Sequence, residues 1–410
     1  MHRFRSALHS GALLVFFQIL GMAIPLLTLP FVARALGVDE FGKVMLAQAI
    51  VFFGVVFIDA GFNTESQRRV ALASDQTQSL QVLFDNLKAR SACAIPTMAV
   101  IIGLSFLFED VPLTYVLVAL LHVMGTLAFP QWWLIGKSLG FQMGLASTAG
   151  RLIAAVLTLW WVRTPGDGMW AVAAASSGTV WAGLLVTPLI RRHWKLAAGQ
   201  MDPRSWRSYF AAVRPTIFSG FFASASASTP AVLLGWVSGA AQVGVFSAAD
   251  RLTRAAAHLM GVIEQTLMGQ LARAEQNDTA LGKTLRRDLM IRLGLASALG
   301  CLVVGVWADL VVRLLYGDKF ATVSPVLQLL CVWLWIHVMR RAGLLFTWSL
   351  RGNLKGVSRF QWLEAGVVTT MAALGATGAG ALGLSSGLVA AEVVLGLALW
   401  FALGREGKQK

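Results

Sequence analysis

Apolar stretches long enough to cross a bilayer recur from one end of this 410-residue chain to the other. A spanning helix needs about 20 mostly apolar residues. Such stretches centre near residues 11–33, 44–66, 92–108, 113–135, 143–162, 169–190, 210–236, 243–266, 289–312, 323–346, 360–379 and 384–403, which predicts about twelve transmembrane helices. The composition agrees: 57% of residues are hydrophobic and 13% charged, against about a quarter charged in soluble chains. The run from Gly11 to Ala33 follows Arg3 and Arg5 and so imitates an export signal. A signal's apolar core covers only about 7 to 15 residues, however, so the run reads as a retained first span. The longest connection, Arg191 to Tyr209, leaves no room for a soluble domain.

The chain carries 34 Lys and Arg against 20 Asp and Glu, a formal charge of +14 with no run of five basic residues to engage nucleic acid. With the N-terminus placed inside, 27 of the 34 basic residues fall on the inner side. That asymmetry predicts cytoplasmic termini. Trp132, Trp133, Trp160, Trp161, Trp170, Trp307, Trp348 and Trp400 fall near span ends and are expected to anchor them at the interface.

A weak internal repeat appears at an offset of 202 residues. GVDEFG (Gly37 to Gly42) follows the first span and GAAQVG (Gly239 to Gly244) the seventh. Pro25 and Pro30 punctuate the first span, Pro215 and Pro230 the seventh, and these prolines are the expected bending points. Six spans per repeat give parallel halves related about the membrane normal. The expected fold is therefore an all-α polytopic membrane protein with two six-helix lobes around a central cavity: residues 1–190, a cytoplasmic linker at 191–209, and residues 210–410.

Enzyme signatures fail on inspection. Gly37 to Lys43 spells G-x-x-x-x-G-K, but Val44 replaces the magnesium-binding Ser or Thr and a transmembrane span precedes it. Asp39 and Glu40 resemble the acidic pair of lipid-dependent glycosyltransferases, yet the loop is too short to hold a substrate and reads as a polar turn. Cys93, Cys301 and Cys331 lie in apolar stretches without a CxxC spacing or a neighbouring His, so no metal or thiol centre is expected. Glycine spacings such as Gly383 to Gly387 point to close helix packing. The chain is not expected to be an enzyme.

Ionisable residues inside the membrane are costly and mark function by default. Asp250, Arg254 and His258 recur at steps of four and stack on one helical face. Asp59 lies deep in the second span, with Glu65, Arg68 and Arg69 at its mouth. Arg34 closes the first span, Arg151 lies in the fifth, His337 and Arg341 in the tenth and Glu392 in the twelfth. A cavity lined by Arg34, Arg68, Arg69, Arg151 and Arg254 suits an anion, because guanidinium forks match phosphate oxygens. Asp59, Asp250 and Glu392 are the candidates for ion coupling or gating.

Four segments carry a resemblance: PFVARALGVDEFG (Pro30 to Gly42), DAGFNTESQRRVA (Asp59 to Ala71), GVFSAADRLTRA (Gly244 to Ala255) and LYGDKF with SPVLQLL (Leu315 to Leu330). Together they resemble the bacterial polysaccharide biosynthesis transporters, the Wzx-type O-antigen flippases, in the superfamily that also holds multidrug extruders and lipid II flippases. Phe246 departs from the tyrosine common in that family. The resemblance implies a multi-pass flippase of the bacterial cytoplasmic (inner) membrane that moves undecaprenyl-diphosphate-linked oligosaccharide repeat units from the cytoplasmic to the periplasmic leaflet. It also implies a polysaccharide polymerase and a chain-length regulator as partners, beside membrane lipid. No cofactor is expected; proton or sodium counterflow and consumption of the product are alternative driving forces. The competing readings are a multidrug exporter, a lipid II flippase and, less favoured, a membrane glycosyltransferase or polymerase.

Overall fold

The computed structural model describes residues 2–59, 61–194, 202 and 204–408, with side chains for all of these except 2–15, 18, 193, 194, 215–227, 277, 279, 354 and 405–408. Every regular element among the described residues is helical. In chain order these are α1 (His2–Asp59), α2 (Phe62–Leu72), α3 (Gln76–Ser105), α4 (Leu113–Ala119), α5 (Leu121–Ala128), α6 (Gln131–Gly136), α7 (Gly140–Trp161), α8 (Gly168–Trp194), α9 (Trp206–Asn277), α10 (Thr279–Val306), α11 (Ala308–Tyr316), α12 (Val323–Leu344) and α13 (Leu354–Lys408). The chain forms two compact units, Met1–Ser228 and Thr229–Lys410. Of the expected linker, 195–201 and 203 lie outside the described residues.

Nine helical stretches among the described residues are long and apolar enough to cross a membrane. Three helices are too long for one crossing: α1, α9 and α13 contain 58, 72 and 55 residues. At helical rise these span roughly 80 to 110 Å, against a hydrocarbon thickness of about 30 Å. Each is broken internally, at Gly37 (φ 75°, ψ 175°), at Gly239 (φ 83°, ψ 173°) and at Ala379 with Gly380. The non-helical dihedrals therefore fall on glycine in α1 and α9, while Pro25 and Pro30 sit in helical backbone. The backbone break in α1 thus falls at Gly37 and not at Pro25 or Pro30. Only glycine takes a positive φ without a Cβ penalty, and the two glycines are 202 residues apart, at the same place in each repeat.

The repeat continues past each break. Three residues on, Glu40 accepts a hydrogen bond from the Tyr115 hydroxyl and pairs with Lys43 Nζ at 3.1 Å. Gln242 at the matching position accepts from the backbone N–H of Ala381 at 3.0 Å. Glu40 lies against Gly168, at the start of α8, and Gln242 against Gly380, at the break in α13. Each unit thus pins its glycine break to a later turn of the same unit. Glu40 is engaged in that pin.

Close approach of small residues holds the helices together. In the first unit Gly150 of α7 meets Gly178 and Ala182 of α8, and Gly183 of α8 meets Ala128 of α5. In α13 a Cβ on either Gly375 or Gly383 would strike the carbonyl of the other, so the helix doubles back on itself across its break. Gly383→Ala is expected to cost about 1 to 3 kcal/mol by overpacking. Gly300→Ala, in open space on α10, is expected to be neutral or to stabilise by up to about 1 kcal/mol. Thermal unfolding of the two purified variants tests this; equal responses would remove the close-packing account.

Asp75 and Asp278 cap α3 and α10, accepting from Gln78 N at 2.7 Å and Ala280 N at 2.8 Å. Exposed Ile291, Leu295, Leu299, Leu302 and Val306 form an apolar stripe along α10, which is the face a lipid-facing helix presents. Tyr316, from the LYGDKF segment, donates to the carbonyl of Ala248 in the GVFSAADRLTRA segment at 2.9 Å. Burial pushes the Tyr316 hydroxyl above its ordinary pKa, opposed by the Arg251 cation, so it remains a donor. Trp160, Trp161, Trp170, Trp307 and Trp400 are exposed, whereas Trp132, Trp133 and Trp348 are buried. Those three are core residues and do not anchor the interface; Trp133 Nε1 donates to Ser79 Oγ at 3.1 Å.

Candidate functional site

Spanning helices bury polar groups only where those groups pair, so charge clusters within the helices mark the candidate site. The larger cluster lies in the second unit, between α12 and α13. The Arg340 guanidinium is buried and contacts two carboxylates. Its Nε and Nη2 reach Glu392 at 2.5 and 3.1 Å, and its Nη2 and Nη1 reach Glu364 at 2.7 and 3.2 Å. His337 Nδ1 lies 2.8 Å from Glu392 Oε1, and its ring stacks on Trp333 with centroids 4.8 Å apart. Two carboxylates and one guanidinium give a formal charge of −1, which a proton on His337 neutralises.

One helical turn of α9 supplies a second group near Trp333. Arg254 Nε bonds both oxygens of Asp250, at 2.8 and 2.6 Å, and its guanidinium lies 5.8 Å from the Trp333 ring. Farther along α9, Glu264 is fully buried and its carboxylate lies 3.2 Å from Arg341 Nε. The Arg341 guanidinium packs over Gly261, one turn before Glu264, where a Cβ would crowd it.

In the first unit Asp59, near the end of α1, is paired with Arg90 of α3, whose Nε also donates to the Ile58 carbonyl at 3.2 Å. On α2, Glu65 accepts from Arg68 Nη2 at 2.8 Å and Arg69 Nε at 2.8 Å. The Arg69 guanidinium stands 5.1 Å from the Tyr209 ring. Tyr209 is buried at the start of α9, where its hydroxyl meets Ser66 and accepts from Asn86 Nδ2 at 3.0 Å. Arg151 is exposed on α7 with its guanidinium against Gly21, and Arg34 is exposed on α1.

The candidate residues are thus divided between the units. Arg34, Asp59, Arg68, Arg69 and Arg151 belong to the first; Asp250, Arg254 and Glu392 belong to the second. Arg68 with Arg69, and Arg254 with Asp250, come together as pairs, while Asp59 and Glu392 each meet an arginine that sequence reasoning misses. Hydropathy puts Arg90 in the connection after the second span, although Asp75 caps a continuous helix from Gln76 to Ser105 that carries Arg90 at its middle. Arg340 counts with the inner-side charges in the sequence, although it follows His337 by one helical turn. Glu264 and Glu364 lie at span ends, where a carboxylate attracts no notice.

Comparison with known proteins identifies the family. The family described as "Polysaccharide biosynthesis protein" matches residues 7–268. The chain is 24% identical over 317 residues to the "Putative O-antigen transporter" of Escherichia coli (strain K12), covering 75% of each chain. It is 26% identical over 381 residues to the "Succinoglycan biosynthesis transport protein ExoT" of Rhizobium meliloti (strain 1021), covering 85% of this chain and 69% of the relative. Among solved structures, an inward-facing multidrug resistance MATE family transporter of the MOP superfamily aligns with a TM-score of 0.74 at 15% identity, over 94% of this chain and 96% of that one. The lipid II flippase MurJ in an inward closed conformation aligns at 0.73 with 10% identity, over 97% and 87%. At those identities the structures establish the fold alone. With the match spanning well over half its length, the chain belongs to the polysaccharide biosynthesis protein family, on the multi-pass helical fold of the MOP superfamily transporters.

Proposed function

We propose that this protein is a flippase for undecaprenyl-diphosphate-linked oligosaccharide units, moving them from the cytoplasmic to the periplasmic leaflet of the bacterial inner membrane by alternating access. The observation that carries the reading is the polysaccharide-family match over residues 7–268; similarity to O-antigen and succinoglycan transporters supports it. The inner-side excess of Lys and Arg supports cytoplasmic termini.

The physics of the substrate fits. Hydroxyls and a diphosphate cannot cross hydrocarbon unaided, because each unsatisfied polar group costs several kcal/mol. In this reading Arg68 and Arg69 recruit the diphosphate, and Arg34, Arg151 and Arg254 retain it during reorientation. Asp59, Asp250 and Glu392 are the coupling or gating groups, each holding an arginine or histidine in register. Among them the His337 and Glu392 pair is the best placed to carry a proton, since protonation of the imidazole neutralises its cluster. No resident cofactor takes part, and a polymerase with its chain-length regulator would consume the product.

Reconstitution tests the reading. Vesicles holding the purified chain and a labelled lipid-linked oligosaccharide are probed with a membrane-impermeant glycan-cleaving enzyme. Faster exposure of glycan than in protein-free vesicles is expected. Organic cation accumulation without glycolipid movement would replace this reading with drug export. An imposed proton gradient that leaves the rate unchanged would remove proton coupling and leave sodium counterflow or product consumption as the driving force.

A further inference from the structure

Three carboxyl side chains are buried among the described residues: Asp85, Glu264 and Glu392. Two of them have donors for their charge. Asp85 accepts from Gln81 Nε2 at 3.0 Å and from Ser205 Oγ at 2.5 Å. Glu392 accepts from Arg340 Nε at 2.5 Å and meets His337 Nδ1 at 2.8 Å. Glu264 has none: it is fully buried, yet neither Oε1 nor Oε2 accepts a hydrogen bond. Arg341 Nε stands 3.2 Å from Oε2 as an ion partner, without the alignment of a hydrogen bond.

The helix face that carries Glu264 explains the isolation. Leu267, Met268 and Leu271 follow it at three, four and seven residues and pack with Leu289, Met290 and Leu293 of α10 and with Ala342 of α12. On the other side Gly261, one turn earlier, makes room for the Arg341 guanidinium: a Cβ there would stand 2.7 Å from Nη2. The Arg341 side chain is 37% exposed. The carboxyl is therefore closed by apolar packing on one side and by a single cation that can turn to solvent on the other. Of the charged groups on the surrounding helices, Arg341 acts on Glu264, and His258 of α9 acts on Arg341. Glu364 and Glu392 of α13 are held by Arg340 instead. A carboxylate shut from water and from donors keeps its charge only while a cation stays beside it, whereas the neutral acid needs none.

We propose that Glu264 is a proton-coupling site and that Arg341 is its gate. With Arg341 in place the carboxylate is charged and the pair is neutral. When the guanidinium turns to its exposed side, water reaches the carboxyl and a proton from the aqueous phase joins one of its oxygens. The acid is then neutral, Arg341 keeps its own protons and charge, and the pair has gained one positive charge. Return of the proton to water and of Arg341 to its place reverses the step. The inference rests on the flippase reading and adds a second proton site to the His337 and Glu392 pair.

Infrared difference spectra of the full-length protein in vesicles, recorded as the pH is stepped, read the C=O stretch of a neutral carboxylic acid. A band that grows on acidification and is lost in Glu264→Gln is expected. Gly261→Ala crowds Arg341 aside while keeping both charged groups, and Arg341→Gln removes the cation. In each the acid band should persist about 1 pH unit or more higher, the effect of losing an adjacent opposite charge. Should Glu264→Gln fail to fold, Gly261→Ala decides by that shift. A band missing from the parent, a band retained in Glu264→Gln, or one unmoved in both Gly261→Ala and Arg341→Gln would overturn the proposal. Glycolipid translocation is measured in the same vesicles under an imposed proton gradient, and Glu264→Gln should lose the response that the parent shows. A rate that ignores the gradient in the parent, or responds to it fully in Glu264→Gln, would overturn the proposal as well. Transport without the Glu264 band rejects the site and leaves the flippase. The band without transport leaves a proton-binding site and rejects the flippase.

Discussion

Arg340→Leu is expected to destabilise the protein by about 3 to 5 kcal/mol, the usual cost of removing one partner from a buried ion pair. Glu392 is 2% exposed and Arg340 5%. Removing the guanidinium leaves Glu392 with His337 alone, and leaves Glu364 without its α12 partner. Glu392 is too buried for water to replace its lost bonds. Thermal unfolding of the purified protein should show a clearly lowered midpoint, and the steady-state level in membranes should fall with it. The combined variant Arg340→Leu, Glu392→Leu and Glu364→Gln should recover much of the loss, because apolar replacement of a complete buried pair is often neutral. If Arg340→Leu alone unfolds like the parent, the cluster does not hold α12 against α13. If the combined variant is stable but transports nothing, the cluster works in the transport cycle.

The cluster also marks the limit of what a sequence can reveal. Long apolar stretches specify helices directly, because only helices satisfy their own backbone in hydrocarbon, and the repeat at an offset of 202 contains both glycine breaks. The partners of the charges are a different matter. Glu392 stands out as a lone carboxylate deep in a span, but Arg340 does not, since an arginine near a span end is indistinguishable from one that sets orientation. Arg90 is hidden the same way. Its helix starts at Gln76 behind the Asp75 cap, some 16 residues earlier than hydropathy suggests, because Asp85, Asn86, Lys88 and Arg90 depress the apolar signal of a segment that is helical throughout. Tertiary contacts, Asp85 with Ser205 and Arg90 with Asp59, take up the polar groups of this helix, and hydropathy has no measure of pairing. The buried Trp132 shows the converse: position near a span end predicts an anchor, while packing in the α6 region places it in the core of the first unit.

Arg254→Gln and Arg34→Gln are each expected to abolish surface glycan while leaving protein abundance and thermal stability near those of the parent. The contrast with Arg340 is what makes the experiment informative. Arg254 pairs with Asp250 one turn away on the same helix, and its side chain is 31% exposed. On an exposed helix face such i, i+4 pairs contribute only about 0.3 to 0.5 kcal/mol; Asp250 is 15% exposed here, so thermal unfolding of the variant is read beside the phenotype. Arg34 is exposed on α1, and glutamine keeps much of its length and hydrogen-bonding capacity. A substitution that removes charge and little else therefore asks whether the charge itself is used. An anionic substrate requires it: a guanidinium meeting a diphosphate forms paired, charge-assisted bonds that a neutral amide cannot replace. Lysine at either position should restore display in part, because it returns the charge without the fork. The readouts are surface glycan by lectin or antiserum, protein level in membranes, and translocation in vesicles. Normal display in both glutamine variants would remove the cationic retention step, and the flippase reading would then need another holder for the diphosphate. Loss of display with full rescue by lysine would show that charge alone suffices and that bidentate geometry adds nothing.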